Sequence, residues 1–264
     1  MSADDEIAYY YGLGEERDRL AGPFRLEFVR TKELLARHLP PPPAVVLDIG
    51  GGPGAYALWL AERGYEIHLL DPIELHVRQA REAGVASAEI GDARSLPQAD
   101  ASADAVLMLG PLYHLQEQAD RLRALAEARR VLRPGGLLAA AAISRFAATI
   151  DGVRRQLLVD PTFEQGVEQS LRDGRHENPG RDPIRFTTAY FHRPGELQEE
   201  VRDAGFERVD VLAIEGVGEL AQDVGEWLDD PDRREILLRA IARVEAEPTM
   251  IGSSPHMLAL ARRA

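Results

Sequence analysis

The chain has 264 residues, of which 45% are hydrophobic and 28% charged, values ordinary for a globular α/β domain with insertions. Its 31 basic and 44 acidic residues leave a net charge of −13, which repels phosphate backbones and disfavours a nucleic-acid partner. It contains no cysteine, excluding disulfides, thiolate metal sites and thiolate nucleophiles. No apolar run reaches the roughly 18 residues that a membrane span requires, so a cytoplasmic protein without a membrane partner is expected, as a monomer or homodimer.

In chain order, residues 1–43 read as an N-terminal helical segment. Tyr9, Tyr10 and Tyr11 precede EERDRL, and Pro23 opens a second helix with Phe24, Phe28, Leu35 and Leu39 at helical spacing. Four prolines at 40–43 end it. The stretch VVLDIGGGPG follows: Val45, Val46, Leu47 and Ile49 suit a strand buried on both faces, as in a parallel sheet. Gly50, Gly51, Gly52 and Gly54 then make a turn in which the backbone can take positive φ or let a ligand approach closely. AYALWLAERG continues as an amphipathic helix, so a helix N-terminus with free N–H groups faces the turn.

Strands are expected at 44–49, 65–70, 85–90, 104–109 and 137–143, with helices at 55–63, 74–83 and 116–132. This alternation implies right-handed parallel crossovers. The second strand ends in Asp71-Pro72, the third runs into Gly91-Asp92-Ala93, and the fourth ends in Leu109-Gly110 before Pro111-Leu112-Tyr113-His114. Ligands of open α/β sheets bind at such carboxyl ends, so these residues should border one crevice. After residue 143 the alternation breaks. One helix is expected over 153–171, then a polar segment carrying Arg172, Arg175, Arg181, Arg185 and Arg193, whose charge Asp173, Glu177 and Asp182 balance. A core helix follows at 194–204, and FERVDVLAIEG and HMLALARR read as two last strands, with a helix at 233–246 between them.

In order, LDIGGGPG, Asp71, GDARSLP, DAVLMLGPLYHL and LRPGG resemble the class I S-adenosylmethionine (SAM)-dependent methyltransferases, closely over 44–143 and loosely beyond. The resemblance implies a Rossmann-like, doubly wound, mostly parallel seven-stranded sheet with helices on both faces. It also implies a SAM-binding domain over 44–264, with insertions 144–192 and 216–255 and the N-terminal helices capping the acceptor side. SAM would lie against Gly50, Gly51, Gly52 and Gly54, with Asp71 on the ribose hydroxyls and Pro72 beside it. Asp92 and Ala93 would meet the adenine, Asp48 would orient the loop near the methionine part, and Leu109 and Gly110 would complete the site. One N-terminal tyrosine would cover the pocket.

The product would be S-adenosylhomocysteine (SAH) and the acceptor a small molecule, methylated on oxygen, nitrogen or carbon. A proton on the nucleophile calls for a base, and a histidine suits neutral pH. His114 is the first candidate, with Tyr113 its neighbour; an extended 110–114 loop would turn only one of them inward. His192 is a weaker candidate and His256 weaker still. Two other readings stay open: a catalytically silent methyltransferase-like binding protein, and an NAD-dependent oxidoreductase, since Gly52 to Ala57 can be forced into the dinucleotide fingerprint.

Overall fold

The computed structural model describes residues 3–14, 16–22, 24–178 and 185–264. Pro23, Arg181 and Asp182 lie outside them. Five parallel strands form the first part of the sheet: β1 (Val45–Ile49), β2 (Glu66–Asp71), β3 (Ala88–Ile90), β4 (Ala103–Met108) and β5 (Leu132–Ile143). A short two-stranded ribbon follows, β6 (Arg175–His176) with β7 (Ala189–Tyr190), and then β8 (Phe206–Ala213) and β9 (His256–Arg263). The large sheet has the order β3-β2-β1-β4-β5-β9-β8, and β9 runs antiparallel to both of its neighbours. This is the mostly parallel, Rossmann-like sheet that the alternation implies.

The apolar runs explain the layering. Successive residues of a strand face opposite sides. Val46, Leu69, Leu107, Ala139 and Leu258 enter one core, while Leu47, Leu70, Val106, Leu138 and Met257 enter the other. Thirteen helices are described: α1 (Ala3–Gly12), α2 (Glu16–Arg19), α3 (Arg25–His38), α4 (Ala55–Ala61), α5 (Glu74–Ala83), α6 (Pro111–His114), α7 (Gln118–Val131), α8 (Ala147–Arg154), α9 (Pro161–Asp173), α10 (Pro194–Asp203), α11 (Val224–Asp229), α12 (Pro231–Ala242) and α13 (Pro248–Ile251). Helices α3, α4 and α5 cover the first core through Leu34, Leu35, Ala57, Leu60, Val77 and Ala80. Helices α7 and α10 cover the second through Ala124, Leu125, Ala128, Leu197 and Val201.

Two sequence expectations are corrected, and the insertions expected as a cap are placed. The single helix at 153–171 is two helices, because Asp160 caps α9 by accepting from the Thr162 N–H, with Pro161 in the first turn. The 110–114 loop is a helical turn, started by Pro111. The insertions 144–192 and 216–255 supply no described residue to the wall of the main cavity. The first touches its rim through Phe186, which packs on Tyr10 and His114. The second packs on α3, where Leu228, Leu237 and Ile241 cluster with Leu26.

The insertion side is fastened by buried charge. Arg121 of α7 is 2% exposed and grips Glu200 of α10 at 2.7 and 2.9 Å, while His192 Nε2 lies 3.2 Å from the same carboxylate. Burial alone would raise the Glu200 pKa, but hydrogen bonds from Arg121 and His192 outweigh it and hold the group at about 2. Arg121→Ala strands this carboxylate and should cost about 3–5 kcal/mol of unfolding free energy, read from urea denaturation. A carboxyl depressed on folding stabilises above its ordinary value of 4.5 and loses that contribution as pH falls toward 2. The variant should therefore lack the acid-dependent step that the parent shows in this window.

Candidate functional site

A cavity of about 460 Å³ opens at the carboxyl ends of β1, β2 and β4. One wall is the glycine turn after β1. Gly51 has no alternative residue: a Cβ there would stand 2.7 Å from Asp48 Cγ and 2.8 Å from Leu69. Gly54 serves differently. At φ +91°, it lets α5 and the segment after it pack against the turn, since a Cβ would meet Ala80 of α5 at 3.3 Å and Val85 at 2.8 Å, and it is not part of the cavity wall. Of the expected ligand-facing glycines, Gly50, Gly51 and Gly52 line the cavity and Gly54 is a packing residue.

Beneath the turn lies Asp48, 1% exposed, whose two carboxylate oxygens have no partner among the described residues. Burial, and then the nearby Asp71, raise its pKa to about 7. Asp71 is itself 4% exposed and tightly held. Its Oδ2 accepts from Gly52 N–H at 2.8 Å, and its Oδ1 accepts from Ile73 N–H at 2.9 Å and meets His76 Nδ1 at 3.1 Å. Pro72, Asp92, Ala93, Leu109 and Gly110 continue the wall. Asp92 is bound by its neighbour: Arg94 donates from Nη2 at 2.6 Å, from Nε and from the backbone N–H. That side-chain pairing holds its pKa below the usual carboxylate range.

The opposite wall comes from the N-terminal helices. Tyr11 lines the cavity, whereas Tyr9 is exposed and Tyr10 packs edge-on against Phe186. The Tyr11 hydroxyl is 2.7 Å from His114 Nε2, a pairing that joins α1 to α6. Burial raises the Tyr11 pKa well above its ordinary value and lowers that of His114 to about 4, so both are neutral at physiological pH. Tyr113 also lines the cavity, because a helical turn can carry two adjacent side chains inward where an extended loop cannot, and its hydroxyl donates to the Leu109 carbonyl at 3.1 Å. His192 is elsewhere. It is wholly buried against Glu200 and the Tyr190 ring and has no part in the cavity.

Four residues of this wall carried no signal in the sequence. Arg19 donates to Glu16 at 2.8 Å and to both oxygens of Glu27 at 2.7 and 3.1 Å, and all three border the cavity. Behind them Glu215 Oε1 lies 2.6 Å from His256 Nδ1. Burial would lower the His256 pKa, but Glu215 and Glu27 outweigh it and raise it to about 9, so the group is an imidazolium in a salt-bridged cluster. His76, the fourth, occurs five residues past Asp71 with nothing in the sequence to relate them. The described residues of the basic segment contribute nothing to the wall: Arg175 pairs with Glu117, Arg185 with Asp160 and Arg193 with Glu196.

Residues 47–140 match the family described as "Methyltransferase domain". The chain is 37% identical over 198 residues to the ubiquinone/menaquinone biosynthesis C-methyltransferase UbiE of Acidiphilium cryptum, covering 70% of this chain and 75% of that protein. It is 40% identical over 109 residues to a malonyl-[acyl-carrier protein] O-methyltransferase of Methylococcus capsulatus, covering 39% of this chain and 38% of that one. A solved SAM-dependent methyltransferase of Thermotoga maritima, titled a possible histamine N-methyltransferase, has the same fold. It superposes with a TM-score of 0.59 at 22% identity over 96% of this chain and 97% of its own. The ordered signatures, the sheet order and the extended match to a curated methyltransferase agree, and the chain belongs to the class I SAM-dependent methyltransferases.

Proposed function

We propose that the enzyme methylates a small molecule, with the cofactor along the glycine turn and the acceptor beneath α1 and α2. The observation that carries this reading is the pairing of two unlike walls around one space of about 460 Å³. One is built from backbone and strand-end acids, the other from Tyr11, Arg19, Tyr113 and His114. That volume suits a small ligand, within the roughly 300–1,000 Å³ usual for such sites. That size favours a small acceptor over a folded protein, and the charge of −13 opposes a structured nucleic acid.

The residues present suit SAM. Asp48 is a buried acid with two unpartnered oxygens, an environment that a cationic ligand relieves. Gly51 could carry no side chain without displacing that acid. When bound, SAM supplies a methyl group on a sulfonium, already activated for in-line displacement. The chain's own work is to bind, orient and exclude water. Asp71, fixed by two backbone N–H groups, would accept from the ribose. Asp92 and the Ala93 N–H would face the adenine, while Gly50, Gly52, Pro72, Leu109 and Gly110 shape the groove. On the acceptor side the Tyr11 hydroxyl takes the proton from the nucleophile as it passes its own to Nε2 of His114, 2.7 Å away and neutral because it is buried. Tyr113 positions the acceptor beside it. His192 has no role here.

SAM or SAH should raise the melting temperature by linkage, and NAD should not. Release of SAH across a panel of small hydroxyl, amine and carbon acceptors then tests the small-molecule reading. Turnover with none of them, but with an acyl-carrier protein or a peptide, would overturn it.

Asp71→Ala removes a charged acceptor worth about 1.5–3 kcal/mol. SAM affinity by calorimetry should fall about ten- to hundredfold. Because Asp71 also anchors Gly52 and Ile73, the apo protein should melt lower as well.

His114→Ala should lower turnover about a hundredfold or more while SAM affinity stays within a few-fold. A base must be unprotonated to act. The parent rate should therefore be insensitive to this group from neutral pH down to about pH 5, and fall only as pH approaches 4. Full turnover in the variant, with the acid limb unchanged, would assign the proton to another group.

A further inference from the structure

The carboxylate of Asp71 is nearly spent on the protein itself. An ionised carboxylate offers about four lone-pair sites, two on each oxygen. Oδ1 is occupied twice, by Ile73 N–H and by His76 Nδ1, and Oδ2 once, by Gly52 N–H. One site remains, on Oδ2, while a ribose diol brings two hydroxyls. The second hydroxyl needs another partner.

His76 offers one. It lines the same cavity and is 3% exposed, and its Nε2 has no partner among the described residues. A buried ring nitrogen without a partner costs free energy, which a ligand hydroxyl would recover. The rest of its surroundings are ordered. Nδ1 is fixed on Asp71, and the ring meets the Tyr11 ring edge-on with centroids 5.1 Å apart. With Nδ1–H on the carboxylate, Nε2 of the neutral ring is an acceptor; were the ring protonated, it would be a donor. A hydroxyl satisfies either form, being both donor and acceptor.

Resting on the proposed cofactor site, we propose that Asp71 and His76 divide the ribose diol between them, Asp71 Oδ2 taking one hydroxyl and His76 Nε2 the other. His76 is thus a cofactor-binding residue as well as a brace for Asp71. The Tyr11 contact sets it at the boundary between the cofactor wall and the N-terminal helices.

The test measures calorimetric affinities of three ligands, SAH and its 2′-deoxy and 3′-deoxy analogues, for the parent, His76→Asn, His76→Gln and Asp71→Ala. Asparagine keeps an amide where Nδ1 meets Asp71 and removes the distal nitrogen, whereas the longer glutamine restores a polar group near Nε2. His76→Asn should weaken SAH by roughly three- to tenfold, the factor of one net hydrogen bond. One deoxy analogue should bind it as tightly as it binds the parent, and His76→Gln should recover part of the loss. Equal weakening of SAH and both analogues would overturn the proposal, reducing His76 to a brace, and so would unchanged SAH binding. If Asp71→Ala weakens SAH and His76→Asn does not, only the division of the diol fails. If neither does, the ribose is not at the end of β2, and the cofactor site fails with it. Should the variants fold poorly, the nitrogen-15 shift of His76 Nε2 in the parent gives an independent reading. It should move on binding SAH and move less with the analogue lacking the hydroxyl concerned; no movement overturns the proposal.

Discussion

The Asp71 carboxylate joins two loops that the sheet alone would leave separate. Strands β1 and β2 run parallel and in register from Val45 with Glu66 to Ile49 with Leu70, and the Gly50 and Gly51 N–H groups still reach the Leu70 carbonyl at 2.7 and 3.4 Å, but between Gly52 and Ile73 the backbone gives no further restraint. Asp71 supplies it, accepting from Gly52 on one loop and Ile73 on the other. Its charge-assisted bonds to backbone N–H groups fix the glycine turn directly above Asp48. The consequence is electrostatic: a second acid is buried under the turn, close enough for Asp71 to help raise its pKa to about 7. A site holding two acids, one of them unpartnered, is poised for a ligand that carries positive charge.

The same economy of buried charge organises the rest of the chain. With acids outnumbering bases, arginines become the scarce partner, and several sit deep inside. Arg30 is fully buried and holds the Ile214 carbonyl at 3.0 Å and Glu245 at 2.6 Å, tying α3 to the segment after β8. Arg145, 3% exposed, holds the Phe191 carbonyl at 2.7 Å and Glu196 at 2.6 Å, tying the end of β5 to α10. Arg121 does the same between α7 and α10. A planar guanidinium with five donors can satisfy a carboxylate and a carbonyl at once, which an ammonium cannot do in a fixed geometry. These positions make the insertions part of the sheet's support.

The sheet was legible because its signals are local. Apolar runs of strand length, the glycine turn and the acids at strand ends each express a backbone requirement, and the observed strands fall within a few residues of the expected ones. Errors arose where a local cue competed with another. Pro111 reads as a loop residue but starts the α6 turn, so Tyr113 and His114 both turn inward. The apolar spacing from Val153 onward suggests one helix, yet Asp160-Pro161 is a helix start. His192 follows a short strand and precedes a helix, a context that fits a site as well as it fits packing; only the distant Arg121 and Glu200 decide for packing.

The two walls of the cavity differ in this respect, and the difference bears on what a family resemblance can convey. The wall from β1, β2 and β4 is made by residues close in sequence to the motifs that define the family, so it is readable from them. The opposite wall depends on contacts across the chain: Tyr11 with His114 over 103 positions, Glu6 with Thr188 over 182, and the Arg19–Glu27 pair backed by Glu215 and His256. No local pattern encodes such pairs, because each partner alone is an ordinary helix or loop residue. The cofactor is thus written in the backbone requirements of the turn. With the acceptor beneath α1 and α2, as proposed, acceptor preference would rest on how α1 to α3 settle on the sheet, through pairs that no local motif encodes.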